Sequence, residues 1–153
     1  MDDYVSVSNL TWTPTVFSVY WCINPTVLSN FNQGIGATNN WGSYNSHVTN
    51  TGFLYVGTDV ATRFTIASAV VANQYQSFCF TYNSGNAEVY KNGVSIASKS
   101  GMTAPVAWTG FVIGSSNSNT VYGNVPLVQI YNRALSAQEV LQNYNATKAR
   151  FGL

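Results

Sequence analysis

Val125-Pro126-Leu127-Val128-Gln129-Ile130-Tyr131, then Asn132-Arg133-Ala134-Leu135 and Ser136, is the stretch that decides the fold. Residues 125–131 read as a strand, the next four as a link, and Ser136 as the start of a helix. Ser136 followed three residues later by Glu139 is a capping box, in which each side chain satisfies a backbone donor orphaned at the helix start. Leu135 before the cap and Val140 after it suit a hydrophobic staple. Val140, Leu141 and Tyr144 supply one apolar face at helical spacing. Lys148 and Arg150 fall where the negative pole of the helix dipole favours cations. One short C-terminal helix, fed directly by a strand, is expected.

Upstream, the run FTYNSGNAEVYKNGVSIAS at 80–98 carries the complementary signal. Asn83-Ser84-Gly85-Asn86 joins two strands, and Asn92-Gly93 is the type I′ dipeptide that matches the twist of paired antiparallel strands. Alternation with a period of two dominates elsewhere. Phe17, Val19, Trp21 and Ile23 point one way, against Ser18, Tyr20 and Cys22. Phe78, Phe80 and Tyr82 do the same against Ser77, Cys79 and Thr81. Further strands are expected at 4–8, 52–57, 63–67, 86–91, 94–98 and 109–113. The Asn- and Gly-rich segment 24–51 reads as one or two short strands and a long loop. Many short antiparallel strands with Gly and Asn punctuation mean an all-β sandwich. No repeat, linker or charge block divides the chain, so 1–153 is read as one domain.

Two stretches resemble the laminin-G-like, concanavalin-A-like jelly-roll family. The family strand Trp-x-x-Val-Ala-Phe-Thr-Tyr and its Tyr-Val-Asn-Gly hairpin correspond to 75–82 and to Val89-Tyr90-Lys91-Asn92-Gly93, with Tyr75 standing where the family usually has Trp. The family pattern Ile-Asp-Glu-Val-Arg-Ile-Tyr-Asn-Arg-Ala-Leu-Ser corresponds to 125–136, with Pro126 and Leu127 in place of both carboxylates. The resemblance implies a two-sheet antiparallel jelly roll that displays a surface for glycans or proteins more often than it catalyses. The ending from Gln142 to Leu153 resembles the tails of jelly-roll domains in phage structural proteins. That likeness implies a structural protein on the virion surface, a capsid decoration or fibre module made in the host cytoplasm. Its partners would be other capsid or fibre proteins, or further copies in a homo-oligomer. The alternative is a lectin-like module that binds host glycans.

Composition narrows the partners. Charged residues make up 7% of the chain, hydrophobic ones 46% and aromatic ones 14%, with a net charge of +1. Asn, Ser, Thr and Gly fill the polar positions and can meet a neutral partner without stripping ions of water. Nucleic acid would need a stripe of Lys and Arg to displace counterions, and there is none. No apolar stretch approaches bilayer length, so a membrane is not expected as a partner. Met1-Asp2-Asp3-Tyr4 lacks a basic segment followed by an apolar run, so no secretory leader is expected. Cys22 and Cys79 fall inside strands and are expected as buried free thiols.

Glycoside hydrolysis, a third reading that the fold invites, needs two carboxylates roughly 5–10 Å apart. Asp2, Asp3, Asp59, Glu88 and Glu139 are the whole acidic inventory and place no pair within any strand, so no enzyme is expected. His47, the single histidine, lies in a polar loop with no nucleophile elbow nearby. Calcium would want several oxygens. Asp59 is the one weak candidate and reads first as a turn residue in Gly57-Thr58-Asp59, so no cofactor is expected. Sugar binding asks for an exposed aromatic beside amides or hydroxyls. Asn39, Asn40, Trp41 and Tyr44 form one such patch, and Ser115, Asn117, Asn119, Tyr122 and Asn124 a second. Trp41, Tyr44, Tyr122 and Asn124 are the candidate carbohydrate-binding residues. Trp21 and Tyr82 are read as core.

Overall fold

The computed structural model describes residues 5–28, 32–37, 44–116, 119–120 and 122–153. The strands are β1 (Val5–Trp12), β2 (Val16–Pro25), β3 (Asn32–Ala37), β4 (Asn45–Val48), β5 (Leu54–Gly57), β6 (Phe64–Ile66) and β7 (Gln76–Asn83). They continue as β8 (Asn86–Lys91), β9 (Val94–Lys99), β10 (Trp108–Ile113), β11 (Ser115–Ser116), β12 (Asn119–Thr120) and β13 (Gly123–Tyr131), before helix α1 (Ala137–Phe151). A six-stranded antiparallel sheet runs β1-β10-β3-β4-β5-β6, a five-stranded one runs β13-β2-β7-β8-β9, and β11 and β12 form a small ribbon. Packed face to face, the two sheets make the expected jelly-roll sandwich.

The period-two pattern of the sequence decides which side chains meet between the sheets. Phe17, Val19, Trp21 and Ile23 of β2 and Phe78, Phe80 and Tyr82 of β7 pack against Ile35, Tyr44, Leu54, Val56, Trp108 and Phe111 of the other layer. Trp21 and Tyr82 are core residues, 1% and 2% exposed. The opposite faces of β2 and β7 are buried too, because α1 lies over them. Tyr20, Cys22, Cys79 and Tyr90 pack with Leu135 and Val140 in a second apolar cluster. Both cysteines are buried and free. Burial pushes the Cys22 thiol up to about 11 and the Cys79 thiol higher still, so neither is a nucleophile at neutral pH.

Both central residues of each hairpin turn have positive φ: Ser84 and Gly85 at 47° and 93°, Asn92 and Gly93 at 50° and 79°. That is the type I′ geometry expected at Asn92-Gly93. Gly93 suits its positive φ, and a Cβ there would also press on the helix, 3.0 Å from Leu141 Cδ1 and 3.1 Å from Tyr144 Cδ1. The helix thus sits down on the β8–β9 turn.

Several elements differ from their expected bounds. β1 runs on to Trp12 past a register shift between Ser8 and Trp12, where Asn9 turns to φ 61°. That irregularity breaks the alternation on which the shorter strand was read. Segment 24–51 contributes β3 and β4, both paired inside the six-stranded sheet. Pro126 lies in β13, at the edge of its sheet and within the register shift between Asn124 and Leu127. A residue without an N–H fits there.

The helix is capped as expected. Ser136 Oγ accepts the Glu139 N–H at 3.4 Å, and the Ser136 N–H donates to Glu139 Oε2 at 2.8 Å. Leu135 and Val140 are both buried, but Leu141 is 44% exposed, so the apolar face is narrower than its spacing suggests. Tyr20 and Thr147 hydroxyls meet at 2.8 Å and fasten the helix to β2. The helix is neither long nor apolar enough to cross a membrane. Replacing Ser136 and Glu139 together by Ala is expected to cost about 1–2 kcal/mol, read as a lower urea midpoint at an unchanged slope.

Candidate functional site

The corner where β13 meets the end of β2 brings together exposed groups suited to a sugar. Asn124 pairs with Asn24 and Gly123 with Pro25 across the ladder. Cross-strand partners share a face, so the two amides stand side by side. Beyond them the Thr26 N–H and Thr26 hydroxyl donate to the Tyr122 carbonyl at 2.7 and 3.1 Å. Gly123, at φ 148°, lets the chains approach this closely, since a Cβ there would fall 2.2 Å from the Asn24 carbonyl oxygen. The backbone is therefore fixed under an aromatic side chain that is 54% exposed, and no other aromatic among the described side chains is exposed to that degree. Asn124 is exposed as well. Asn24 Oδ1 is buried with no hydrogen-bond partner among the described residues. Such an acceptor is costly to leave unpaired, and its burial places it beneath the surface that Tyr122 and Asn124 present.

The other sequence candidates fare differently. Asn39, Asn40, Trp41 and Asn117 lie outside the described residues, as do the side chains of Ser115 and Asn119. Tyr44 is not a surface residue. It is 0% exposed, with its ring 5.5 Å from Phe80, 5.9 Å from Phe17 and 6.3 Å from Phe111, so it cannot stack on a sugar. The cause is its position just before β4, where alternation sends positions 44, 46 and 48 inward. Asp59 holds its own turn: Oδ1 accepts the Ala61 N–H at 2.7 Å and the carbonyl accepts the Arg63 N–H at 2.9 Å. Among the described residues no three His, Cys, Asp or Glu side chains gather to hold a metal.

His47 is not in a loop. It lies in β4 opposite Tyr55 of β5, with the two rings stacked at 4.7 Å. The Arg63 guanidinium sits 4.2 Å from the Tyr55 ring centre, and Asn45, Gly57 and Asp59 complete a narrow cleft. His47 is 2% exposed. Burial first, and the Arg63 charge second, bring its pKa from 6.5 down to about 4, so the imidazole is neutral at neutral pH.

The three described carboxylates stand on separate elements, each with a local task. Asp59 shapes its turn, and Glu139 caps α1 and pairs with Arg133 at 2.7 Å. Glu88 accepts the Tyr90 hydroxyl at 2.7 Å and the Ser95 hydroxyl. Asn24 and Thr26 were missed as neighbours of Tyr122. Pairing the 125–131 strand with the 17–23 strand would have revealed them.

The family model described as the concanavalin A-like lectin/glucanases superfamily, Laminin_G_3, matches residues 1–141. The chain belongs to this superfamily. Solved structures of similar fold include the native heptameric SAP-like pentraxin from Limulus polyphemus, with TM-score 0.69, 15% identity and coverage of 90% of this chain and 73% of that one. The CBM40 of the Ruminococcus gnavus IT-sialidase, bound to α2,3 sialyllactose, gives TM-score 0.65 and 14% identity over 93% of this chain and 96% of that one. The type G botulinum neurotoxin receptor binding domain gives TM-score 0.64 and 16% identity over 94% of this chain and 42% of that one. At such identities the likeness speaks for the fold. No curated protein matches the chain.

Proposed function

We propose that this superfamily member is a non-catalytic, lectin-like carbohydrate-binding module that takes a sugar at the Tyr122–Asn124 corner. The observation that carries the reading is Tyr122, exposed on a backbone fixed by Thr26 and Gly123 in a chain that shelters its other described aromatics. An aromatic face stacks on the apolar side of a pyranose ring, while the exposed Asn124 meets its hydroxyls. The superfamily's lectins and the sialyllactose-bound module of similar fold support sugar binding over decoration of a virus particle, which rested on the resemblance of the tail. The local tasks of Asp59, Glu88 and Glu139 support binding over hydrolysis, which needs two cooperating carboxylates.

On a glycan array the protein is expected to retain at least one oligosaccharide. Tyr122→Ala should weaken that binding about two- to tenfold without lowering the melting temperature, since one lost stacking contact is worth about 0.5–1.5 kcal/mol. Unchanged retention by the variant would remove the corner from the reading. Sugar release from β-glucans would replace binding by catalysis.

A further inference from the structure

The outer face of the five-stranded sheet is divided in two. Under α1 it is apolar, with Tyr20 opposite Cys79 and Cys79 opposite Tyr90. Two residues along each strand the character changes. Ser18 is opposite Thr81, Thr81 opposite Glu88, and Glu88 opposite Ser98, a row of hydroxyl, hydroxyl, carboxylate and hydroxyl across four strands. The link to the helix covers the first of these: Ser18 Oγ donates to the Arg133 carbonyl at 3.0 Å and accepts the Leu135 N–H at 2.9 Å. The other three, with Asn83, Asn86 and Ser100, line an open depression of about 550 Å³. Its floor is recessed: Thr81 is 7% exposed.

We infer that this depression is a second carbohydrate site, in which the Glu88 carboxylate accepts two neighbouring hydroxyls of a neutral sugar and the surrounding Ser, Thr and Asn groups hold the rest of the ring. The volume lies in the range of small-ligand sites. A carboxylate has about four acceptor positions. Tyr90 and Ser95 each donate to one of its oxygens, which holds the carboxylate in place and leaves each oxygen a further acceptor position. A carboxylate-bearing sugar is disfavoured, because Lys99, the one cation of the lining, already donates to the Thr62 and Arg63 carbonyls at 2.8 and 2.9 Å. Ser18 and Asn24 are six residues apart on β2, which places this site about 20 Å from the Tyr122 corner along the strand direction. The helix-covered patch of Tyr20, Cys22, Cys79 and Tyr90 lies between the two along the strands, so each takes its own sugar.

The inference shares the sugar-binding reading with the proposed function but uses different residues, and one experiment separates them. Amide NMR titration with lactose and with maltotriose is expected to move two groups of resonances, one around Tyr122 and Asn124 and one around Thr81, Glu88 and Ser98. Glu88→Gln should weaken the second group's apparent affinity about tenfold, the value of a charge-assisted hydrogen bond over a neutral one, and leave the first unchanged. Ser98→Tyr, on the exposed edge strand, should fill the depression and abolish the second group alone. Shifts confined to the corner overturn the second site and leave the proposed function standing. Shifts confined to the depression do the reverse, and no shift with either sugar overturns both.

Discussion

Trp108→Ala is expected to lower the unfolding free energy by about 3–5 kcal/mol, the range for truncating a buried aromatic. Trp108 is 0% exposed, and its ring lies 4.9 Å from Trp12, 5.1 Å from Phe17 and 5.6 Å from Phe111. It therefore couples β1, β10 and the inner face of β2. Truncation would leave a cavity that rigid strands on both sides cannot close. Trp108→Phe should cost far less, about 1–2 kcal/mol, for a reason beyond its smaller loss of volume. Nε1 is buried with no acceptor among the described residues, so the indole N–H already carries a desolvation cost that Phe removes. Urea unfolding of both variants at pH 7 is the measurement. Equal losses for Ala and Phe would mean that the indole N–H has a partner and that the ring's packing is not what matters.

The fold was legible because its signals are local. Phe17-Ser18-Val19-Tyr20-Trp21 states which faces are buried by alternation alone, and Ser136 with Glu139 states where the helix begins. What alternation cannot state is whether the second face of a strand meets water or another element. Tyr20 and Cys79 read simply as the opposite face, and only the position of α1 over β2 and β7 makes them a second core. Tyr44 failed as a surface candidate for the same reason. It borders an Asn-rich stretch, yet the inward parity of β4 and not that neighbourhood decides its burial. His47 was read as loop because 24–51 offers too few alternating apolar residues, and Gln33, Ser46 and His47 hide two paired strands. Tyr122 and Asn124 were legible as an aromatic beside an amide. Their partners Asn24 and Thr26, about a hundred residues earlier, required the register between β2 and β13.

Acidification from pH 7 to pH 4 is expected to remove about 3 kcal/mol of stability through His47 alone. The imidazole titrates near 6.5 when unfolded and near 4 when buried beside Tyr55 and Arg63. Between those values the unfolded chain binds a proton that the folded chain refuses, so stability falls as pH falls. The contribution is complete above 6.5 and exhausted near 4, and integrating between them gives the stated figure, with about 2 kcal/mol already lost by pH 5. Arg63 on its loop and Asp59 ahead of it are the charges that line this cleft, with Asn45 the neutral polar neighbour on β4. Glu139 also favours the folded state, its carboxyl held below 4.5 by the Ser136 backbone and hydroxyl and by Arg133, but that contribution is lost only as pH falls below 4.5. Comparing pH 7 with pH 5 therefore isolates the histidine. His47→Phe keeps a ring to stack on Tyr55 and cannot titrate, so its urea midpoint should change little across that interval while the wild-type midpoint drops. A wild-type midpoint that holds steady, or a drop that persists in the Phe variant, would show that His47 is solvated and that the cleft between β4 and β5 is open to water.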